Sequence, residues 1–526
     1  MDWLAQTNAD VGRIWPEIIL SVTALVALLS DLLLKGRDTR VTGWVTTLGV
    51  VFTIYWIARS FAGAHGGHVF GMMLDDRFAL FFKLLIASGL LVVTLLSMWF
   101  RGFDHDGIGE YYSILVTAAV GAFFLVSTDH LLLLFLGLET LSISSYVLAG
   151  FLKRDIRSTE AAVKYLVFGV LASGAMLFGF SLLYGFTGSV RLPEIGSAVQ
   201  RLLLSGAHGK DFHLDATGMG VAVGVILSLA GFGFKVAAFP FHFWSPDVYE
   251  GAPTPVTTFL SVVSKTASFG MILRFFGGVA ATTTVVPDAG HAVVGSPALA
   301  AVLAAIAAMT MTFGNVAAML QENAKRLLAY SSIAHAGYML AGVAAFVAGA
   351  DAIDAHGDHY NVASLTGAHA VAFYLAAYFM MNLGAFAVVT YLSNRWGAET
   401  VGGWAGLGWK SPVACGALAV FLLSLTGIPP TAGFVGKWYL LQAIWTAPAL
   451  QWLAVLLVLN SIVSLFYYFR MAKSLFFKGE EEATASPRKH AYAFELSTIV
   501  VALAVGTLWF GLSLSWLMNL VQSLHV

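Results

Sequence analysis

Long apolar runs separated by short polar or Gly/Pro breaks fill the chain from end to end. A helix that crosses hydrocarbon needs about 20 apolar residues, and runs of about 17 or more predict roughly fourteen spans here. Their approximate limits are 16–35, 42–62, 76–100, 111–127, 129–151, 158–186, 218–243, 255–280, 296–319, 325–350, 366–393, 411–445, 449–476 and 492–522. The expected fold class is an all-α polytopic membrane protein, a single membrane domain over 1–526. No soluble domain is expected, because the connections near 187–217 and 477–491 are too short to build a core.

Two of the runs carry helix breakers. The seventh reads GFGFKVAAFPFHFW, with Gly231, Gly233 and Pro240 around Lys235, and the twelfth reads GIPPTAGFVGKWYLL, with Gly427, Pro429, Pro430, Gly433 and Gly436 just before Lys437. Proline removes a backbone donor and clashes one turn back, while glycine lowers the cost of unwinding. Both breaks contain the pattern G-F-x-x-K, at 231–235 and 433–437, and the fifth and tenth runs share Tyr146-Val-Leu-Ala-Gly150 and Tyr338-Met-Leu-Ala-Gly342. Each match is offset by five spans, an odd number, which predicts an inverted repeat with discontinuous seventh and twelfth helices. The repeats are expected over 110–280 (helices 4–8) and 296–476 (helices 9–13).

Charges inside the runs are few and isolated. Glu139 sits in LLLLFLGLETLSISSYVLAG, roughly 15 Å deep in a helix rising about 1.5 Å per residue, where an unpaired charge costs several kcal/mol. It needs a partner, and Lys164, Lys235, Lys265 and Lys437 are candidates. Lys265 lies too deep to reach water through lipid. Lys235 and Lys437 flank the breaks, whereas Lys164 has Glu160 one turn back and reads equally as an ordinary surface pair. Lys83, a few residues into the third run, is expected to snorkel towards the headgroups. His335 is read as either a hydrogen-bonded packing residue or a titratable relay between lysines. A Glu–Lys pair about 4 Å apart is worth roughly 4 kcal/mol at an effective dielectric of about 20. Closing and opening a Glu139–Lys235 pair would therefore switch the lysine between holding and releasing a proton. Asp247 and Glu250, in the connection after the seventh run, are possible proton-uptake groups, with ordinary solvated carboxylates as the likelier reading.

Composition sharpens this picture. The 526 residues are 58% hydrophobic and only 11% charged, which excludes a soluble globule, and a net charge of -1 offers nothing to nucleic acid. The single cysteine excludes an internal disulfide, an all-cysteine iron–sulfur cluster and a Cys-rich zinc site. The amino-terminal residues lack a basic region, so the first run is read as a retained span. Lys35, Arg37, Arg40, Arg101, Lys153, Arg154, Arg157, Lys325, Arg326, Arg395, Lys410, Arg470, Lys473, Lys478, Arg488 and Lys489 fall on one side of the predicted topology, against Arg13, Arg59, Arg77, Arg191, Arg201, Lys210 and Arg274 on the other. That bias puts both termini outside, in the periplasm of a bacterial inner membrane.

The strings LFLGLETLSISSYVLAG, STEAAVKYLVFGVLASGAMLFGFSLLYG, FKVAAFPFHFWSPDVYEGAPTPV, NAKRLLAYSSIAHAGY and GIPPTAGFVGKWYLL resemble the antiporter-like membrane subunits of the proton-pumping NADH:quinone oxidoreductase, complex I, and its N-type branch in particular. The resemblance covers nearly the whole chain and implies a fourteen-helix fold with inverted five-helix repeats. It further implies that Glu139 pairs with Lys235, that Lys265 and His335 continue a relay, that Lys437 is its outlet, and that Lys164 belongs to it. Lysine at 437 differs from the L-type subunits. The implied function is proton translocation coupled to electron transfer from NADH to quinone. This chain would hold no cofactor, with NAD, FMN, iron–sulfur clusters and quinone in partner subunits. The implied partners are other complex I membrane subunits (M-type and K/A/J-type neighbours), lipids and protons, with no nucleic acid. The alternatives are a subunit of an Mrp-type sodium/proton antiporter and an inert scaffold; buried lysines speak against the scaffold.

Overall fold

The computed structural model describes residues 7, 10–34, 39–63, 67–103, 107–205, 216–279, 283–285, 292–294, 296–349, 367–477, 494–513 and 515–524. Lys35, Arg37, Lys478, Arg488 and Lys489 of the inner side and Lys210 of the outer side lie outside the described residues, as does the segment 351–362.

The chain opens with α1 (Trp15–Leu34) and α2 (Thr39–Ser60), a hairpin of β1 (Gly67–Val69) and β2 (Met73–Asp75), then α3 (Arg77–Met98), α4 (Ile108–Val126) and α5 (Leu131–Ala149). There follow α6 (Ile156–Thr187), the short α7 (Leu192–Ser205), α8 (Ala216–Val236), α9 (Trp244–Gly251), α10 (Thr254–Phe259) and α11 (Lys265–Val279). Beyond a second hairpin, β3 (Thr283–Val285) with β4 (Ala292–Val294), come α12 (Pro297–Met319), α13 (Ala324–Ala348), α14 (Gly367–Trp396), α15 (Leu407–Lys410), α16 (Pro412–Thr426), α17 (Ala432–Trp445), α18 (Gln451–Phe476), α19 (Phe494–Leu512) and α20 (Ser515–Gln522). Both hairpins pair antiparallel, with Gly67 opposite Asp75 and Thr283 opposite Val294.

Among the described residues twelve helices are long and apolar enough to cross a membrane, or thirteen if the bent pair in α19 and α20 is one span. The sequence expectation of about fourteen is higher because it took 411–445 as one run. That run divides into α16 and α17, each too short to cross alone. The seventh run likewise stops early: α8 ends at Val236 and Ala237 takes a left-handed φ of 57°, so 237–243 is not part of the helix. In the twelfth, Gly427 closes α16 at φ 91°, a conformation glycine adopts at no steric cost. The two G-F-x-x-K strings fall on opposite sides of their breaks, 231–235 closing α8 and 433–437 opening α17. The other matched strings differ as well, since 146–150 ends α5 while 338–342 lies inside α13.

Burial locates the centre. Over its 18 most apolar consecutive residues the span Thr254–Val279 is 100% buried within the chain, Gly367–Trp396 94% and Ala324–Ala348 89%, whereas Trp15–Leu33 and Ile156–Thr187 are each 39% buried. A helix apolar on all sides belongs inside a bundle or a membrane. Here α10–α11, α13 and α14 form the middle, and α1, α2, α6 and α18 present broad apolar faces outward. The strut α9 packs between α6 and α13 and joins the two halves at the basic end.

Candidate functional site

Lys235 occupies the last turn of α8 and is buried. Its Nζ donates to the Ser142 hydroxyl on α5 at 2.9 Å, and the Tyr165 ring lies 5.9 Å from the same nitrogen. Glu139 is one turn before Ser142 on the same helix face. Its Oε1 is buried without a hydrogen-bond partner, and among the described residues no Lys, Arg or His nitrogen comes within 4.0 Å of the carboxylate. The direct Glu139–Lys235 pair expected from the sequence is therefore not made. The lysine docks one turn further along α5, on the Ser142 hydroxyl.

The strut α9 fixes that end of α8. Trp244 donates its indole N–H to the Phe234 carbonyl at 3.0 Å and stacks on Tyr165 at 4.3 Å with 13° between the planes. The unwound backbone after Val236 frees carbonyls that need donors, and the indole supplies one.

Lys265 follows a π-turn, Leu260–Ser264, inside an otherwise α-helical span. Such turns concentrate at functional sites. The Lys265 ammonium, 1% exposed, donates to the Ser332 carbonyl of α13 at 2.5 Å. One turn later on α13, His335 sits between two phenols, with Nδ1 2.5 Å from the Tyr374 hydroxyl and Nε2 3.0 Å from the Tyr468 hydroxyl. Tyr468 in turn bonds Ser331.

Lys437, on α17, donates to the Leu425 and Thr426 carbonyls at 3.0 and 2.8 Å, the last carbonyls of α16. A cation at a helix carboxyl end interacts favourably with the helix dipole and caps orphan acceptors. Its Nζ also lies 4.9 Å from the centre of the Tyr338 ring. Tyr338 accepts from Asn315 at 2.9 Å, and Asn315 continues to Asn460 and Tyr467.

Lys164 is elsewhere. At the basic end it lies 2.6 Å from both Glu160 and Asp247, with its side chain 37% exposed. Asp247 also meets Arg326 at 2.6 Å, and Arg326 meets Glu250 at 3.0 Å, while Lys325 donates to the Ala252 carbonyl. The two loop carboxylates expected to be freely solvated are thus tied by ion pairs that join α6, α9 and α13. Burial alone would raise the Asp247 pKa, but the hydrogen bonds from Lys164 and Arg326 outweigh it and hold the carboxyl below its ordinary value.

Lys83 is a second correction. Far from snorkelling, it is 3% exposed and lies 2.6 Å from Glu17, itself 4% exposed. Its place near the start of α3 suggested an easy route to water, but α1 and α4 close that route and supply the carboxylate. Among the described residues no three His, Cys, Asp or Glu side chains converge to hold a metal ion.

The sequence matches the family described as "NADH:quinone oxidoreductase/Mrp antiporter, TM" over residues 128–464. It is 38% identical over 513 residues to the NADH-quinone oxidoreductase subunit N of Chlorobium chlorochromatii, covering 97% of this chain and 93% of that one. The chain belongs to this family of antiporter-like membrane subunits, on its N-type branch. A further N-type member, from Anaeromyxobacter sp., is 39% identical over 519 residues, covering 95% of this chain and 94% of that one. Among solved structures, a chain of respiratory complex I from Thermus thermophilus with bound Aureothin superposes at a TM-score of 0.73 with 31% identity, covering 96% and 98% of the two chains. A chain of the Mrp complex from Dietzia sp. shares the fold at a TM-score of 0.72 and 21% identity, covering 96% of each. Glu139, Lys235, Lys265, His335 and Lys437 all fall within the matched span, whereas Glu17 and Lys83 precede it.

Proposed function

We propose that this chain serves as the proton-translocating N-type membrane subunit of a bacterial respiratory complex I, coupled at a distance to electron transfer from NADH to quinone. Relatives at 38–39% identity carry complex I names, which favours this reading over the Mrp-type antiporter, whose resemblance is lower. The chain would lie in the inner membrane with both termini periplasmic, beside M-type and K/A/J-type neighbours. NAD, FMN, iron–sulfur clusters and quinone would belong to partner subunits. The fold is read as fourteen helices with inverted repeats over 110–280 and 296–476, supported by two broken helices an odd number of crossings apart.

The observation that carries the mechanism is that three lysines and a histidine are each nine-tenths or more buried and each is held by neutral oxygens rather than by a carboxylate. A buried amine whose hydrogen-bond partners are all neutral can take up or give up a proton without breaking a direct ion pair. In this reading Glu139 sets the charge of Lys235, the proton moves by Lys265 and His335 to Lys437, and it leaves on the far side. Charging one station repels the next, which gives direction when the first is driven. Lys164 with Asp247 marks the uptake end.

The test is Lys235→Ala and Glu139→Gln in the intact complex, reconstituted in vesicles, with proton pumping measured per NADH oxidised. Both variants assemble and pump poorly under this reading. Full pumping with normal assembly would rule it out.

A further inference from the structure

Lys235 has two places to rest on α5, and the structure holds it at the neutral one, hydrogen-bonded to Ser142 rather than to the carboxylate. Ser142 gives its own proton to the Leu138 carbonyl at 2.6 Å, so the Ser142 oxygen serves Lys235 purely as an acceptor at 2.9 Å. Both side chains are buried, at 0% and 2% exposure. One turn away, Glu139 Oε1 is buried with no donor at all. Positions three apart on a helix put side chains on one face roughly 5–6 Å apart at Cβ. A lysine has four rotatable methylenes, so its amine covers that distance while α8 stays in place.

We propose that Ser142 is a positioning residue that gives Lys235 an alternative to Glu139, so that the lysine alternates between a carboxylate-paired and a hydroxyl-docked position. This rests on the reading of Glu139 and Lys235 as proton stations. At Glu139 the amine faces a full opposite charge and keeps its proton. At Ser142 it faces a neutral acceptor whose only hydrogen points away, towards Leu138, and its proton is free to pass on. Without the hydroxyl, a buried ammonium leaving Glu139 would lose the acceptor that holds it at 2.9 Å, which favours the paired position. No bond other than hydrogen bonds changes, and the amine gains and loses only the transported proton.

The test uses the whole complex in vesicles and reads NADH-driven proton pumping and NADH oxidation together. Ser142→Ala is expected to slow coupled pumping about tenfold, the scale of one hydrogen bond to a charged group. Ser142→Thr, which restores the hydroxyl, is expected to recover most of it. Ser142→Cys keeps nearly the same volume with a weak acceptor and is expected to resemble the alanine variant, which covers the case in which alanine fails to assemble. The decisive readout is the double variant. If Ser142 acts by competing with Glu139, Ser142→Ala adds no further loss in a Glu139→Gln background, whereas a merely structural role leaves the two losses additive. Normal pumping by the alanine or cysteine variant, failure of threonine to rescue, or additive losses each overturn the proposal. If Lys235→Ala itself pumps fully, the underlying site reading fails instead.

Discussion

The Lys265 ammonium lies 2.5 Å from the Ser332 carbonyl, three residues before His335 on the same helix. This contact ties the two halves of the chain at the level of their buried charges. It joins α11 to α13, two of the most enclosed elements in the fold. His335 lies one turn further along α13, flanked by the Tyr374 and Tyr468 hydroxyls.

His335→Gln tests whether the ring relays protons or only packs. The amide keeps hydrogen-bonding capacity for the two phenols but does not titrate. Pumping per NADH oxidised is expected to drop about a hundredfold, the lower end of what a positioned acid–base group contributes. A glutamine variant that pumps normally would reduce His335 to a packing residue.

Lys83 and Glu17 call for a stability measurement. Removing one member of a buried pair strands the other charge, and Lys83→Ala or Glu17→Ala is expected to cost about 3–5 kcal/mol. Replacing both, as Lys83→Met with Glu17→Leu, should recover most of that loss, because an apolar pair of similar size avoids desolvation altogether. Thermal unfolding of the purified subunit assembly reads the difference. Equal losses in single and double variants would show that the pair does something other than compensate itself.

The isolated ionisable groups were legible in the sequence for a simple reason. Lys235, Lys265, Lys437 and His335 stand alone in apolar runs, where any ionisable group is conspicuous. Their partners were not legible. Ser142, Ser332, Tyr374 and Tyr468 are ordinary constituents of membrane helices, and nothing in the spacing says which hydroxyl or carbonyl faces which amine. Lys83 was misread because distance from a span end suggests snorkelling, while its neighbour Glu17 belongs to a different helix and is brought there only by packing of α1 on α4. The Glu139–Lys235 pair was anticipated from the family resemblance, yet nothing in the sequence says whether the amine meets that carboxylate or the hydroxyl one turn away. The repeated strings pointed to both breaks but not to the opposite sides on which their lysines lie.

Asp247 gives a pH prediction. Its folded-state pKa is lowered by Lys164 and Arg326, so its ion pairs stabilise the fold fully above the unfolded value of about 3.9 and are lost as pH falls through the lower folded value. Thermal stability of the assembly in detergent should therefore decline on acidification through that window. Asp247→Asn should start lower at neutral pH and decline less. Parallel pH curves for the two proteins would mean that the cluster carries no linkage.

The position of Lys437 depends on how closely α17 approaches α16, and Gly433 sets that approach. A Cβ placed at Gly433 would lie 1.9 Å from the Ser424 carbonyl oxygen, a backbone atom that cannot swing aside. The Gly433 N–H donates to the Ser424 hydroxyl at 3.1 Å, a bond that any outward shift of α17 lengthens. Gly433→Ala must move α17 outward and lift the Lys437 amine from the Leu425 and Thr426 carbonyls. The expected cost is about 1–3 kcal/mol of stability, typical of overpacking, with pumping lost more severely than stability because the amine loses both acceptors. Gly416→Ala is the matched control: it lies on α16 with nothing within 4 Å of its Cβ and should be neutral in both measurements. If Gly433→Ala pumps as well as Gly416→Ala, the contact between Lys437 and the end of α16 has no part in proton release.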